Sequence, residues 1–159
     1  MNWMGMVKNL PHTPVVIISK PTSIGSNESI NIKRPQTMFD SIFILLALLF
    51  IKHWYIDFVN QSMEEVTGKG IYGNAHGVMH SIKHGVGTFI VMLLFIGEWP
   101  FAFTLAAIDF AFHYHIDWLK ININKRWNYT PADHAFWVWL GADQLAHALT
   151  YLGLVWLAV

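Results

Sequence analysis

The sequence predicts an all-α fold, a polytopic membrane protein built as a four-helix transmembrane bundle with short loops, and three observations predict it. Hydrophobic residues make up 54% of the 159-residue chain and aromatic residues 15%, more than an ordinary soluble surface needs. From Phe39 onward four long apolar segments follow one another, each reaching the roughly 20 residues that span a bilayer core. Their ionisable residues fall on one stripe at fourfold spacing while Leu, Phe, Trp and Ile occupy the other faces, the inverse of a soluble bundle.

The elements follow in order. Residues 1–38 hold four of the six prolines with many Ser, Thr and Asn and no sustained period, so they read as a polar, poorly ordered tail ahead of a transmembrane domain over 39–159. The apolar run Val15 to Ile18 is too short for a secretory core of about 7–15 residues, and a cleaved signal is not expected. The first span, about Phe39–Val59, is apolar on every face from Ile42 to Ile51 and then carries His53, Asp57 and Gln61 one turn apart. Gly68, Gly70 and Gly73 punctuate a connection in which Glu64 and Glu65 read as a solvated face. A second span over His76–Gly97, a tight turn at Gly97 and Pro100, a third over Pro100–Leu119, a loop from Asn122 to Pro131 and a fourth over Asp133–Ala158 complete an up-down-up-down topology. Lys52 and Lys83 fit if they snorkel to an interface, where Trp54, Tyr55, Trp118, Trp127 and Tyr129 would form an aromatic belt. Basic residues on the two sides, Lys8, Lys20, Lys33 and Arg34 against Lys69, Lys120, Lys125 and Arg126, nearly cancel and leave orientation open.

Charge and cysteine content narrow the chemistry. Ten basic residues balance ten acidic ones, so no charge excess recruits nucleic acid, which is not expected as a partner. Without cysteine there are no disulfides, thiolate nucleophiles or Cys-based zinc sites, and any metal must sit on nitrogen and oxygen.

The polar stripes supply that set. His53 with Asp57, His76, His80 and His84, then Asp109, His113 and Asp117, and finally Asp143 with His147 each stack one turn apart, as bundles present inward ligands. An ionised Asp at the centre of a membrane helix costs about 2.5–3.5 kcal/mol on insertion scales, so repeated placement asks for a function. The expected metal ligands are His53, Asp57, His80, His113, Asp117, Asp143 and His147, enough for one or two divalent ions, with zinc, manganese or iron favoured by the donor types. The spacing leaves open whether His76 or His84 joins them, while His12, His115 and His134 read as tail or outward residues. Asp57, Asp117 and Asp143 are the candidate catalytic carboxylates, with Gln61 and Gln144 orienting water or substrate. Lys69 and Lys120, helped by Lys125, could hold an anion at the mouth. An alternating topology brings the first three sets to one side, but Asp143 and His147 lie deeper and join only if the first two turns of the fourth helix project beyond the bilayer.

These motifs resemble a family of uncharacterised small integral-membrane proteins of bacteria and their tailed phages, over roughly Phe39 to Tyr151. The pattern His, three residues, Asp-Phe, two residues, Gln is met by His53, Asp57, Phe58 and Gln61. The Lys leading to a second-helix His is met by Lys69 and His80, the His-Asp pair by His113 and Asp117, and Asp-Gln, two residues, His by Asp143, Gln144 and His147. The layout is similar to inner-membrane families described as metal-dependent hydrolases. The resemblance implies a bacterial inner-membrane location and a helical His/Asp site.

The expectation is therefore a metal-dependent hydrolase acting on a membrane lipid or lipid-linked substrate, with homo-oligomerisation open. A proton or ion pathway using the same side chains, or a non-enzymatic phage or host membrane factor with a structural polar core, are the alternatives.

Overall fold

Long apolar runs with polar residues at fourfold spacing favour helices joined by short turns, and the computed structural model, which describes residues 38–159, is built of these elements. The polar segment expected over residues 1–38 lies outside the described residues except for Met38, as does His12.

Helix α1 (Met38–Trp54) passes into a π-helical turn at Tyr55–Val59, closed by the Asn60 N–H donating to the Tyr55 carbonyl at 2.9 Å. Such turns concentrate at functional positions, and this one carries Asp57. A short helix α2 (Met63–Gly68) stands in the first connection, where the loop reading foresaw none. Its signal is present in the chain: Ser62 and Glu65 form a capping box, the Glu65 N–H donating to Ser62 Oγ at 3.2 Å and the Ser62 N–H to Glu65 Oε2 at 2.9 Å. Glu65 is consequently buried and paired with Lys83 at 2.7 Å, which corrects its reading as a solvated face; Glu64 is exposed.

This pair gives a pH signature. Burial pushes the Glu65 carboxyl up, but Lys83 and the Ser62 N–H outweigh it and hold it below its ordinary value of 4.5. A depressed folded value means the stabilisation is complete above the ordinary value and is lost as pH falls through the lower, folded one. Thermal scans below about pH 4.5 should therefore show the gap between wild type and Glu65→Gln closing, whereas a pH-independent gap would contradict the pairing.

Helix α3 (Ala75–Ile96) is capped by Asn74, whose Oδ1 accepts from the His76 N–H at 2.9 Å, and it ends on Gly97 in the left-handed region at φ 73°. Helix α4 (Trp99–Trp127) has Pro100 in its first turn, where a missing N–H is tolerated. It continues eight residues past the Leu119 expected from hydropathy. No glycine or proline stands between Lys120 and Trp127, and Lys125 with Arg126 suits the negative end of the helix dipole. Asn128, at φ 53°, ends it. Helix α5 (His134–Ala158) follows a turn in which Asp133 Oδ2 accepts from the Thr130 N–H and hydroxyl, each at 2.8 Å.

Helix α3 packs against α1 and α4, and α5 closes the bundle on α1 and α4. Small residues set the approach: a Cβ on Gly87 would stand 2.7 Å from Lys52 Cγ, and one on Gly85 3.3 Å from the Ala106 carbonyl. One half of the bundle is a dry core of Leu45, Leu49, Met92, Leu105 and Leu154. Large apolar side chains face outward on every long helix, among them Phe43 and Ile51, Ile90 and Leu94, Phe103 and Phe112, and Leu149 and Trp156. The helices at Asp40–Val59 and Ala75–Ile96 are long and apolar enough to cross a membrane. Helices α4 and α5, of 29 and 25 residues, have the length, but Asp109, Asp117 and Lys120 in one and Asp143 and Gln144 in the other interrupt their apolar character.

Candidate metal centre

Fourfold spacing puts the polar residues of each helix on one stripe, and the packing turns all four stripes inward at one end of the bundle. His53, His80, His84, His113 and His147 are buried, and the carboxylates of Asp57, Asp117 and Asp143 are less than a tenth exposed. Donor atoms converge in three overlapping groups: Asp57, His80, His84 and His113; His53, His113 and His147; and Asp117, Asp143 and His147. The atoms of each group lie within 4.8 Å of one another. All seven sequence-predicted ligand positions take part. Between the two open candidates, His84 is inside the cluster and His76 is exposed, as are His115 and His134.

The spacings fit a cation. Asp57 Oδ1 stands 3.0 Å from His80 Nε2 and 3.4 Å from His84 Nε2. His80 Nε2 and His113 Nε2 are 3.1 Å apart, and His113 Nε2 is 3.2 Å from Asp117 Oδ2. Nitrogen and oxygen ligands about 2.0–2.1 Å from a tetrahedral ion stand roughly 3.3 Å from each other, which these distances approach. Among the described residues both ring nitrogens of His84, Asp143 Oδ1 and His147 Nε2 are buried and make no hydrogen bond, whereas His53 Nε2 faces Asp57 Oδ2 at 3.1 Å and Asp117 Oδ2 faces Lys69 Nζ at 2.9 Å. Buried atoms without a hydrogen bond ordinarily have a partner.

The depth mismatch expected for the fourth helix resolves through length. Asp117 lies ten residues before the end of α4 and Asp143 nine after the start of α5, so the two helices extend together about 15 Å past the cluster. Asp143 and His147 thereby meet Asp117, the His147 Nε2 lying 3.6 Å from Asp117 Oδ1 and 3.7 Å from Asp143 Oδ1.

Lysines take parts that hydropathy did not reveal. Lys52 does not snorkel. Its side chain is 7% exposed and its Nζ donates to Asp109 Oδ2 at 2.9 Å, to the Tyr151 hydroxyl at 3.0 Å and to the His84 carbonyl at 3.3 Å. The Thr88 hydroxyl also donates to Asp109 Oδ2, so Asp109 serves this pair and stands apart from the three donor groups. The Tyr151 hydroxyl meets His53 Nδ1 at 2.9 Å, which directs the other ring nitrogen toward Asp57 Oδ2 at 3.1 Å. Tyr151 was missed in the sequence although it continues the Asp143–His147 stripe by one more turn. Lys83 stands more than two turns inside α3 rather than near a helix end, and pairs with Glu65 and the Asn60 carbonyl.

Lys69 reaches Asp117 Oδ2 at 2.9 Å and Asp57 Oδ1 at 3.4 Å. Its place depends on a backbone crossing, since a Cβ on Gly77 would stand 2.9 Å from the Gly68 carbonyl and 3.0 Å from Lys69 Cα. Gly77→Val is expected to displace α2 and lower the melting temperature by several degrees, the cost of overpacking being about 1–3 kcal/mol; an unchanged melting curve would contradict that contact. Lys69 also borders an open cleft of about 640 Å³ lined by Gln61, Lys120, Lys125, Asn124 and Tyr129. The Gln61 amide donates to the Asp57 carbonyl at 2.7 Å, and that of Gln144 to Asp143 Oδ2 at 3.1 Å.

No curated protein and no solved structure matches this chain. A family match covers residues 45–159, from the middle of α1 through the whole cluster to the C-terminal residue, and the chain belongs to that family, described as Protein of unknown function (DUF3307).

Proposed function

We propose that all four long helices span a bilayer and that the buried histidines and aspartates hold one or two divalent ions, zinc, manganese or iron, in a hydrolase acting on a membrane lipid or lipid-linked substrate. The observation that carries this reading is charge. Four carboxylates, Asp57, Asp109, Asp117 and Asp143, face two ammonium groups, Lys52 and Lys69, all less than a tenth exposed. Two negative charges are left over, which protonated imidazoles among the five buried histidines or a divalent cation can balance, and an interior of low dielectric does not tolerate them unpaired. A divalent cation balances them and satisfies the unpartnered donor atoms at the same time.

The membrane reading is supported by the outward Phe, Leu, Ile and Trp side chains around a polar interior, and by Trp54 and Tyr55, exposed beside the cluster where an aromatic belt would lie. A bacterial inner membrane is the location we favour.

Asp57, His80, His84 and His113 form the fullest donor set for a first ion, and Asp117, Asp143 and His147 suit a second. When bound, such an ion supplies Lewis acidity, making water nucleophilic near neutral pH and polarising a phosphoryl or acyl oxygen. With a single ion held by Asp57, His80, His84 and His113, Asp143 stays off the metal and would accept the proton of the attacking water through Oδ1. Gln61 borders the cleft, where its amide can orient a polar headgroup, and Lys120 and Lys125 attract an anionic one.

The rival reading, a proton pathway, has one observation in its favour: the contacts from Asp109 through Lys52 and Tyr151 to His53 form a relay. Against it, Leu49, Met92, Leu105 and Leu154 close the bundle beyond Asp109 without exposure. Two assays separate them. Wild type supplied with zinc, manganese or iron is expected to release headgroup or fatty acid from phospholipid in mixed micelles, and Asp57→Asn, His113→Ala to lose at least 100-fold of that rate. Proton flux in reconstituted vesicles without such release would overturn the hydrolase.

A further inference from the structure

Three openings border one another along α4, two between α4 and α5 and a third, reached past Lys120, between α4 and the α2 segment. Ile108, Phe112, Leu149, Gly153 and Trp156 border a groove of about 610 Å³. Its polar lining residue, Thr150, turns its hydroxyl back to the Ala146 carbonyl at 3.0 Å, which leaves a hydrocarbon wall. At Ile116 and Ala146 the groove meets a smaller cavity of about 200 Å³ that reaches Asp143 and Lys120. Lys120 in turn borders the cleft that holds Lys69 and Lys125.

Physical order along this track runs from apolar, past a carboxylate of the candidate centre, to basic. From Ile108 to Lys120 is twelve residues of α4, about 18 Å, close to one leaflet of a hydrocarbon core about 30 Å thick. At the basic end Lys69 is engaged by Asp117 and Asp57, while Lys120 and Lys125 have no carboxylate partner among the described residues. Gly153 opens the apolar end, since a Cβ built there meets nothing within 4 Å.

We propose that the track binds one lipid with a phosphate-bearing anionic headgroup. A hydrocarbon chain lies between α4 and α5, the linkage region passes Asp143, and the headgroup sits at Lys120 and Lys125. This deepens the hydrolase reading, on which it rests for the membrane setting, by naming the substrate class and its direction. In a bilayer the tail gains little from leaving other lipid, so selectivity comes from the two lysines and from the shape of the groove.

Gly153→Trp fills the groove from a position outside the donor cluster, and replacing a helical glycine favours the helix, so folding is preserved. Native mass spectrometry of the full chain in dodecyl maltoside, with dioleoyl phosphatidic acid, dioleoylglycerol, dihexanoyl phosphatidic acid and inorganic phosphate as probes, reads intact lipid and product separately. The expected result is retention of the long-chain phosphatidic acid at least about tenfold above the other three, one favourable charge-assisted contact being enough for that ratio. Gly153→Trp should lose that retention by a similar factor with an unchanged melting temperature. The Lys120→Gln, Lys125→Gln variant should bind phosphatidic acid and diacylglycerol alike. Equal retention by Gly153→Trp, or equal binding of the short-chain lipid or free phosphate, would overturn the track. Lipid retained by wild type but never hydrolysed would instead count against the hydrolase and leave the track standing.

Discussion

Replacing His113 with alanine is expected to lower affinity for a divalent ion by at least about 100-fold, more than a supporting residue contributes. His113 belongs to two of the three donor groups, and its Nε2 lies 3.1 Å from His80 Nε2 and 3.2 Å from Asp117 Oδ2. Its ring also stacks on those of His84, at 3.5 Å between centroids, and His147, at 4.2 Å. On the proposed reading its removal takes away one candidate ligand and the ring packing against His84 and His147, so the expected loss exceeds that of a residue at the edge of the cluster. His76→Ala, at an exposed position on the same helix as His80, is the matched control and should leave affinity within about twofold. Chelator competition on the two purified variants measures the contrast. Equal affinities would show that the convergence of side chains at His113 holds no ion.

The second large effect concerns stability and comes from the Lys52–Asp109 pair. Asp109→Ala leaves the Lys52 ammonium in the interior with only the Tyr151 hydroxyl and the His84 carbonyl, and breaking a buried pair from one side costs about 3–5 kcal/mol. Lys52→Met should cost a comparable amount, because it leaves Asp109 with only the Thr88 hydroxyl. The informative variant is the double one. Lys52→Met with Asp109→Leu removes both charges, fills the space beside Gly87 with hydrocarbon, and should recover most of the loss. Thermal unfolding of the two single variants and the double closes the cycle. Additive losses would mean that the two side chains act independently and that the pair is not what holds α1 against α4.

Helix α1 taken with its π-helical turn, α3 and α5 lie within a residue of their expected spans, because hydropathy and glycine report on helix ends directly. Helix α4 ran longer because its last two turns are charged, and hydropathy reads charge as loop although the backbone has no reason to stop there. The donor residues were legible since fourfold spacing is a property of one helix at a time. What connects different helices was not: Lys52 reads as an interfacial lysine until Gly87 on α3 lets its stem pass to Asp109 on α4. The choice between His76 and His84 is of the same kind. Both lie on the stripe of His80, and only the pitch of α3 against Gly68 and Lys69 turns the first outward and the second into the cluster.

Elemental analysis of wild-type protein purified in detergent, after equilibration with zinc, manganese and iron in turn and removal of free ion, tests the central claim most directly. The expected result is one to two tightly held equivalents per chain for at least one of these metals, falling to background in Asp57→Asn, His113→Ala. A folded wild type that retains none of the three would contradict it, since eight buried donor side chains would then have converged without a cation to hold.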